Sequence, residues 1–153
     1  MLMLPTLATI GSSAFFSAED RDAIRAAIER AEAETSGEIK VHIEPKCSGD
    51  VLARATQMFE KLGMHQTELR NGVLFYLAYE DRRFAIVGDA GIHAAVTEGF
   101  WDEIKVGMQV KFRQGRFVDG LAEGIAKAGQ HLAQAFPVRA GDNNELSDDI
   151  SFG

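Results

Sequence analysis

The segment "GVLFYLAYEDRRFAIVG", residues 72–88, decides the fold. It begins with a nearly continuous apolar run, which is typical of a central strand covered on both faces. The polar residues "EDRR" then turn the chain, and "FAIVG" runs back. Because this connection is so short, the two strands must be antiparallel neighbours. The segment therefore predicts a β-hairpin, and a turn centred near Asp81 would pair Leu74 with Gly88.

An earlier strand is connected to this hairpin through a helix. In "EIKVHIE", residues 38–44, apolar and polar residues alternate, which indicates a strand with one wet face. We therefore expect His42 to be exposed. The following "GDVLARATQMFEKLG", residues 49–63, has helical spacing. A helical crossover of this kind makes the first two strands parallel, with the usual right hand.

Helices are predicted on both sides of this strand region. Ser17 and Asp20 resemble a capping box at the start of an amphipathic helix over residues 18–35. Two helical stripes, beginning at Phe100 and Leu121, follow the hairpin. The predicted fold class is α/β. It is a small open mixed β-sheet sandwiched between helices, with the first two strands parallel and the third antiparallel to the second.

Length and composition indicate one domain. The chain has 153 residues, of which 46% are hydrophobic, and residues 17–137 carry the periodic patterns. We assign residues 1–16 to an N-terminal arm and residues 138–153 to an acidic C-terminal tail. Most of this tail is expected to be irregular, although its apolar residues could dock on the domain; they are Leu146, Ile150 and Phe152.

Charge and targeting signals narrow the range of partners. The formal charge of -7 excludes nucleic acid as an expected partner, because phosphate binding needs clustered Lys and Arg. The lone Cys47 allows no internal disulfide and is expected to be an ordinary loop cysteine. The apolar start of the chain is too short for a membrane span and lacks a basic region. We therefore expect a cytoplasmic domain with no direct membrane insertion, which reaches membranes only through partners.

The usual catalytic motifs do not occur. The sequence has no phosphate-binding GxxxxGK[ST] loop, no GxGxxG after a strand and no GxSxG elbow. It also has no HExxH, CxxC or EF-hand pattern. Any functional site must therefore be assembled from residues that are distant in sequence.

The predicted topology assembles one such set. A hairpin returns the chain to the end from which it left, so the loops 63–71 and 88–93 meet at one polar rim. Imidazole and carboxylate ligands together suit zinc, and the acids alone suit calcium. The alternative is that the histidines cap helices or bond backbone groups while the acids are solvated. The candidate metal ligands are His65, Glu68, Asp89, His93 and Glu98.

Several blocks in order and spacing resemble the TPM domain family. They are "TSGEIKVHIE", "LGMHQTELRNGVLFYLAYEDRRFAIVGDAGIH" and "FWDEIKVGMQVKFRQGRFVDGLAEGIAKAGQHLAQAFP", which together cover about residues 17–137. The family includes a thylakoid lumen protein tied to photosystem II repair and many bacterial membrane-associated or exported proteins. The resemblance implies an open α/β sandwich, calcium binding in a groove beside the sheet, and, from a plant member, acid phosphatase activity.

The chain departs from the family pattern where metal ligands would be expected. In "GIHAAVTE", Ile92 and His93 stand where the family typically has Leu-Glu, and Glu98 stands in place of an Asp. His65 likewise occupies a position where an acid often follows the crossover helix. Replacing oxygen ligands by imidazoles weakens a calcium prediction and leaves a transition metal, or an empty site, as alternatives.

Three functions fit these observations. The first is a divalent-metal-binding module that uses the rim and catalyses no reaction. The second is a metal-dependent phosphatase acting on phosphate monoesters, in which Asp89 or a metal-bound water attacks and Arg70 holds the phosphate. The third is a protein-interaction module for the assembly or quality control of membrane proteins. Whether the chain is an enzyme stays open at this point.

Overall fold

The computed structural model of the protein describes residues 15–140 and 146–153 and confirms the α/β class. The first fourteen residues, which make up most of the predicted N-terminal arm, and residues 141–145 of the tail lie outside the described residues. The elements are α1 (Ala18–Glu32), β1 (Glu38–Glu44), α2 (Val51–Lys61), β2 (Gly72–Ala78), β3 (Arg83–Gly88), α3 (Ala90–Ala95), α4 (Asp102–Arg113), α5 (Phe117–Ala135) and β4 (Ser151–Phe152).

The sheet has the order β3-β2-β1-β4. As predicted, β1 is parallel to β2 and β3 is antiparallel to β2. The predicted hairpin register was wrong by one residue, since Gly88 faces Val73 and Leu74 faces Val87. The turn between the strands has Arg82 in the left-handed backbone region, with φ of 53°. This turn is centred half a residue before Asp81, and the shift moves every partner by one.

Helices cover both faces of the sheet. The face of β1 that carries Ile39, Val41 and Ile43 packs in one large core with side chains of α1, α4 and α5. The opposite face of the sheet packs with α2 in a smaller core, to which Leu74, Tyr76 and Cys47 belong. The sequence therefore predicted the sandwich correctly, because both faces of β2 are buried along its whole length.

Two elements were not predicted. The short helix α3 follows β3 directly, and β4 adds Ser151 and Phe152 in parallel beside His42 and Ile43 of β1. A two-residue strand has no periodicity of its own, which is why the tail pattern favoured irregular structure. Docking of the tail is confirmed, since Ile150 and Phe152 pack on the large core and Leu146 packs on the small one.

Helix α5 approaches α1 closely at Gly129. A Cβ atom at this position would lie 2.8 Å from Cβ and 3.0 Å from Cα of Ala31. We expect Gly129→Ala to lower the free energy of unfolding by about 1–3 kcal/mol, because the Ala31 backbone cannot move away cheaply. Chemical denaturation measures this change.

A second helical glycine provides the matched control. At Gly107 in α4, an added Cβ would meet only the flexible end of Lys127, at 3.9 Å. We expect Gly107→Ala to raise the free energy of unfolding by about 0.5–1 kcal/mol, the ordinary helix-propensity gain. Equal effects of the two substitutions would contradict the close packing of α1 against α5.

Candidate functional site

At the predicted rim, the Asp89 carboxylate is held by Arg70. Arg70 donates from Nε to Oδ2 at 2.7 Å and from Nη2 to Oδ1 at 2.9 Å. Asp89 is also the N-cap of α3, since its Oδ1 accepts from the Ala90 amide at 2.8 Å. Arg70 has a positive φ of 50°, and the Gly91 amide donates to its carbonyl oxygen at 2.8 Å. The rim is therefore closed by a two-pronged ion pair between two loops.

His65 lies close enough to this ion pair to affect Asp89, and the backbone of His93 is bonded to that of Asp89. Burial alone would raise the pKa of Asp89, but the hydrogen bonds from Arg70 and Ala90, together with the charges of Arg70 and His65, hold that pKa below its ordinary value. The backbone amide of His93 donates to the Asp89 carbonyl oxygen at 3.2 Å. The side chains of both histidines are exposed.

The rim does not provide the ligand set that calcium needs. Calcium takes six to eight oxygen ligands, yet both oxygens of Asp89 already accept hydrogen bonds. Glu68 and Glu98 are exposed. Within residues 15–140 and 146–153, no group of three or more His, Cys, Asp or Glu side chains is arranged to hold a metal ion. Calcium as implied by the family therefore does not fit the described geometry at this rim.

A second polar cluster lies at the opposite end of the parallel strands, around Glu44. Its carboxylate accepts two hydrogen bonds from Arg54, from Nε and Nη2, each at 2.9 Å. It also accepts from the Tyr76 hydroxyl, and it contacts Nε2 of His42 at 3.0 Å. We call these residues the Glu44 network: His42, Glu44, Arg54 and Tyr76.

The structure corrects the expectation that His42 is exposed. Its relative exposure is 1%, because the ring lies among Glu44, Tyr76 and Ser151, on the sheet face against which α2 packs. Its ring stacks on Tyr76, with centroids 5.9 Å apart. Nδ1 contacts the Ser151 hydroxyl at 2.8 Å, so both ring nitrogens are engaged.

Electrostatics in the Glu44 network favour an ionised carboxylate beside a neutral imidazole. Burial would raise the pKa of Glu44, but hydrogen bonds from Arg54, Tyr76 and His42 lower it to about 2. Burial lowers the pKa of His42, and this effect outweighs the Glu44 charge that favours protonation. Burial and the bond to Glu44 raise the pKa of Tyr76. Within the network, the negative charge of Glu44 is therefore balanced by the positive charge of Arg54.

Residues 146–153 form a strap that crosses the outer edge of β1. The Gly153 amide donates to the Ile43 carbonyl oxygen at 2.9 Å. The Lys40 ammonium donates to the carbonyl oxygens of Ser147 and Asp149, at 3.2 and 3.3 Å. Together with the β4 pairing, these contacts attach the strap along most of β1.

A carboxyl group from α1 lies between the strap and β1. Glu32 Oε2 accepts from the Ile39 amide at 2.8 Å. Burial, together with the neighbouring carboxyl groups of Asp148 and Glu38, raises the pKa of Glu32 to about 10. Glu32 therefore keeps its proton at neutral pH, which removes one negative charge from this acidic contact.

A groove of about 970 Å³ opens beside the Glu44 network. It lies where β1 and β2 end, and ligands of open α/β sheets commonly bind at the carboxyl ends of such strands. Its walls come from the loop after β1, the first turns of α2 and the end of the strap. Lining residues include Glu44, Lys46, Cys47, Arg54, Glu80 and Gly153.

Sequence reasoning missed the Glu44 network, although one signal pointed to it. In the helix over residues 49–63, the apolar side chains of Met58 and Phe59 have to pack against the sheet. The polar face of β1 lies on the same side of the sheet as this helix. Arg54 on the same helix supplied the opposite charge for Glu44. A polar strand face with a complementary charge on the covering helix indicates a buried ion pair.

An open α/β sandwich with a short C-terminal edge strand is the class of protein that this fold and these contacts define. A sequence model described as the TPM domain matches residues 11–131. The chain belongs to the TPM domain family, as the sequence resemblance predicted.

Solved structures of similar proteins agree with this assignment. The NMR structure of BA42 protein from the psychrophilic bacterium Bizionia argentinensis is 47% identical, with a TM-score of 0.86 over 91% of this chain and 96% of that chain. The N-terminal domain of cg2496 protein from Corynebacterium glutamicum is 16% identical, with a TM-score of 0.63 over 96% of this chain and 89% of that chain. A third structure, an N-terminal domain from P. gingivalis, is 20% identical, with a TM-score of 0.67 over 82% of this chain and 81% of that chain. The last two share the fold alone. No curated protein has a significantly similar sequence.

The Glu44 carboxylate is expected to contribute strongly to stability. Glu44→Gln leaves Arg54 without its counter-charge and should lower the free energy of unfolding at neutral pH by about 3 kcal/mol. This is the lower end of the range for buried pairs, because one third of the Arg54 side chain is exposed. Urea denaturation measures it, with Glu60→Gln on the exposed face of α2 as the control.

The pH dependence of this loss separates charge from packing. Since the folded-state pKa of Glu44 lies below its ordinary value of 4.5, its stabilisation is complete above 4.5 and is lost as the pH falls toward 2. The stability difference between the native chain and Glu44→Gln should therefore shrink over that interval. A difference that stays constant down to low pH would contradict the ionic role.

Proposed function

We propose that this TPM domain is a protein-interaction module that binds an extended segment of a partner along the outer edge of β1. The observation that carries the proposal is that the chain's own Ser151 and Phe152 add to this edge as a parallel strand. Strand addition is a common mode of peptide recognition, in which backbone hydrogen bonds give affinity and alternate side chains give specificity.

The edge of β1 is suited to a short segment only. The Glu32 side chain occupies the Ile39 amide near the start of the strand. Pairing by β4 is limited to His42 and Ile43, and Gly153 extends it by one backbone bond. A side chain that blocks part of an edge limits indiscriminate pairing with other chains. The remaining length of the edge favours a partner segment of about three residues.

The expected partner is a membrane-associated protein that this domain binds during the partner's assembly or quality control. The family resemblance is the basis for this part of the proposal. None of the helices in residues 15–140 and 146–153 could span a lipid bilayer. As a separate part of the proposal, the domain acts from the cytoplasm and reaches the membrane through its partner.

A peptide library tests the proposed function. Phe152→Ala weakens the strap, because Phe152 packs on the large core. We expect this variant to bind extended peptides from the library about tenfold more strongly than the native chain does. The reason is that its weakened strap leaves the β1 edge unoccupied for a larger fraction of the time. The footprint of enriched peptides is measured by NMR on the backbone amides of His42, Ile43 and Glu44.

The control is a variant with the single substitution Val106→Ala, on the exposed face of α4. This control variant should bind library peptides no more strongly than the native chain does. The proposal fails if the Phe152→Ala variant is folded, as shown by its NMR spectrum, and binds no peptide at the β1 edge. Footprints confined to α4 would also contradict it.

A divalent-metal site at the rim is a second candidate function. The observation that favours it is that His65 lies close enough to lower the pKa of Asp89, while His93 follows Asp89 by one helical turn. Neutral imidazoles with one carboxylate suit zinc better than calcium. In the native chain Asp89 is bonded to Arg70, so we propose weak zinc binding. We propose His65, Asp89 and His93 as ligands, with Glu68 and Glu98 as further candidates. Their side chains would have to rearrange around the ion, because in the described residues no three such side chains are arranged to hold a metal.

Arg70→Asn provides a direct test of this candidate. Asn tolerates the positive φ of position 70 and releases the Asp89 carboxylate. Zinc added to dialysed protein should shift the imidazole NMR signals of His65 and His93, and the variant should bind about tenfold more tightly. The His131 signal on α5 serves as the internal control. Unchanged His65 and His93 signals in both proteins would exclude a metal site at the rim.

The phosphatase alternative has less support from these contacts. In that mechanism Arg70 would hold a phosphate and Asp89 would attack it. Since the two side chains bond each other, neither is available to a substrate without first breaking their ion pair.

A further inference from the structure

We infer that the outer edge of β1 selects a three-residue pattern, a hydroxyl residue followed by an aromatic residue and glycine, in the partner segment. The strap presents this pattern as Ser151, Phe152 and Gly153 and occupies the edge in cis. The inference rests on the proposed function and names the kind of partner. It is a protein with an exposed, extended Ser-Phe-Gly or Thr-Phe-Gly segment.

The hydroxyl position is selected by the protonation of His42. Nε2 of His42 faces the ionised carboxylate of Glu44 at 3.0 Å, so the proton of the neutral imidazole belongs on Nε2. Nδ1 is then an acceptor, and the Ser151 hydroxyl at 2.8 Å must donate to it. A residue at this position without a donor leaves a buried nitrogen unpaired, and an aspartate places two acceptors face to face.

The aromatic position is selected by packing. Phe152 lies against the large core, and its ring centroid is 6.5 Å from that of the buried Phe16. Ile150, on the other side of Ser151, packs on the same core. Alternate side chains of an extended chain point to the same face, so Ile150 and Phe152 both face this core while Ser151 between them faces His42.

The glycine position is selected by exclusion. A Cβ atom on Gly153 would lie 2.7 Å from Oε1 of Glu44 and 3.0 Å from Nε2 of His42. Neither atom can retreat, because Glu44 is bonded to Arg54 and Tyr76 and the His42 ring is bonded on both sides. Any larger residue at this position therefore breaks the Glu44 network or lifts the segment off the edge.

The strap competes with any partner for this edge. It is tethered to the domain through the chain that follows α5, which gives it an effective concentration of roughly millimolar. A partner peptide with the same contacts must overcome that competition in the native chain. Weakening the strap by Phe152→Ala should therefore tighten peptide binding without changing the recognising residues on β1.

Matched peptides test the inference on the full chain carrying Phe152→Ala. The reference peptide is Leu-Ser-Asp-Asp-Ile-Ser-Phe-Gly, the sequence of residues 146–153. One comparison peptide has Gly→Ala at the last position, and a second has Ser→Ala at the position of Ser151. Affinity is measured by NMR titration of the β1 amides.

We expect the Gly→Ala peptide to bind at least about tenfold more weakly and the Ser→Ala peptide about three- to tenfold more weakly. A Ser→Thr peptide should retain binding. The native chain should bind the reference peptide at least about tenfold more weakly than the variant does.

The outcomes distinguish the inference from the proposed function. Equal affinity of the Gly→Ala, Ser→Ala and reference peptides at β1 would overturn the pattern and leave strand addition intact. Binding of library peptides at β1 without any for the reference peptide would also overturn the pattern. If Phe152→Ala unfolds the chain, Ser151→Ala in the full chain replaces it, since this change removes one hydrogen bond and leaves the ring packing in place. The inference then requires that the peptides keep the same order of affinity for the β1 edge of this second variant.

Discussion

The buried carboxylate of Glu44 is the interaction on which both the fold and its outer edge depend. It lies at the end of β1 and accepts hydrogen bonds from α2 through Arg54 and from β2 through Tyr76. Through His42 it also fixes the imidazole that contacts Ser151 of β4. A carboxylate with this little exposure is tolerated only when its lone pairs are satisfied. The crossover helix, the central strand and the edge strand are therefore positioned by one charged group.

Hydrophobic periodicity was sufficient to predict the hairpin, the crossover and the sandwich, but not this network. The alternation in residues 38–44 correctly separated two faces of β1. This alternation does not predict what covers the polar face. The expectation that His42 is exposed assumes that a polar strand face contacts solvent. The predicted helix over residues 49–63 contradicted that assumption, because its apolar stripe required the same face. Requiring every predicted helix to have a buried surface would have placed His42 and Glu44 inside.

The rim illustrates a different limit. Topology correctly placed the loops of Arg70 and Asp89 at one end of the hairpin, because that follows from chain direction alone. Whether a carboxylate is available to a metal depends on the direction of its lone pairs and on its neighbours, and these depend on the positive φ of Arg70 and the start of α3. Neither property has a sequence pattern in this chain. Sequence reasoning could thus predict proximity at the rim, but not that Asp89 is bonded to Arg70.

The two ends of the parallel strands consequently differ in what they offer a ligand. At the rim, oppositely charged side chains bond each other and join two loops, so a ligand has to displace an existing ion pair. At the Glu44 end, the ion pair is internal, and a groove and a strand edge remain beside it. In the proposed recognition of a partner segment, the Glu44 network is the source of selectivity, because side chains held by several hydrogen bonds leave space for a glycine but not for an alanine. The buried charge of Glu44 contributes to stability only when it is fully paired. The same pairing also determines which backbone can lie against the carboxylate.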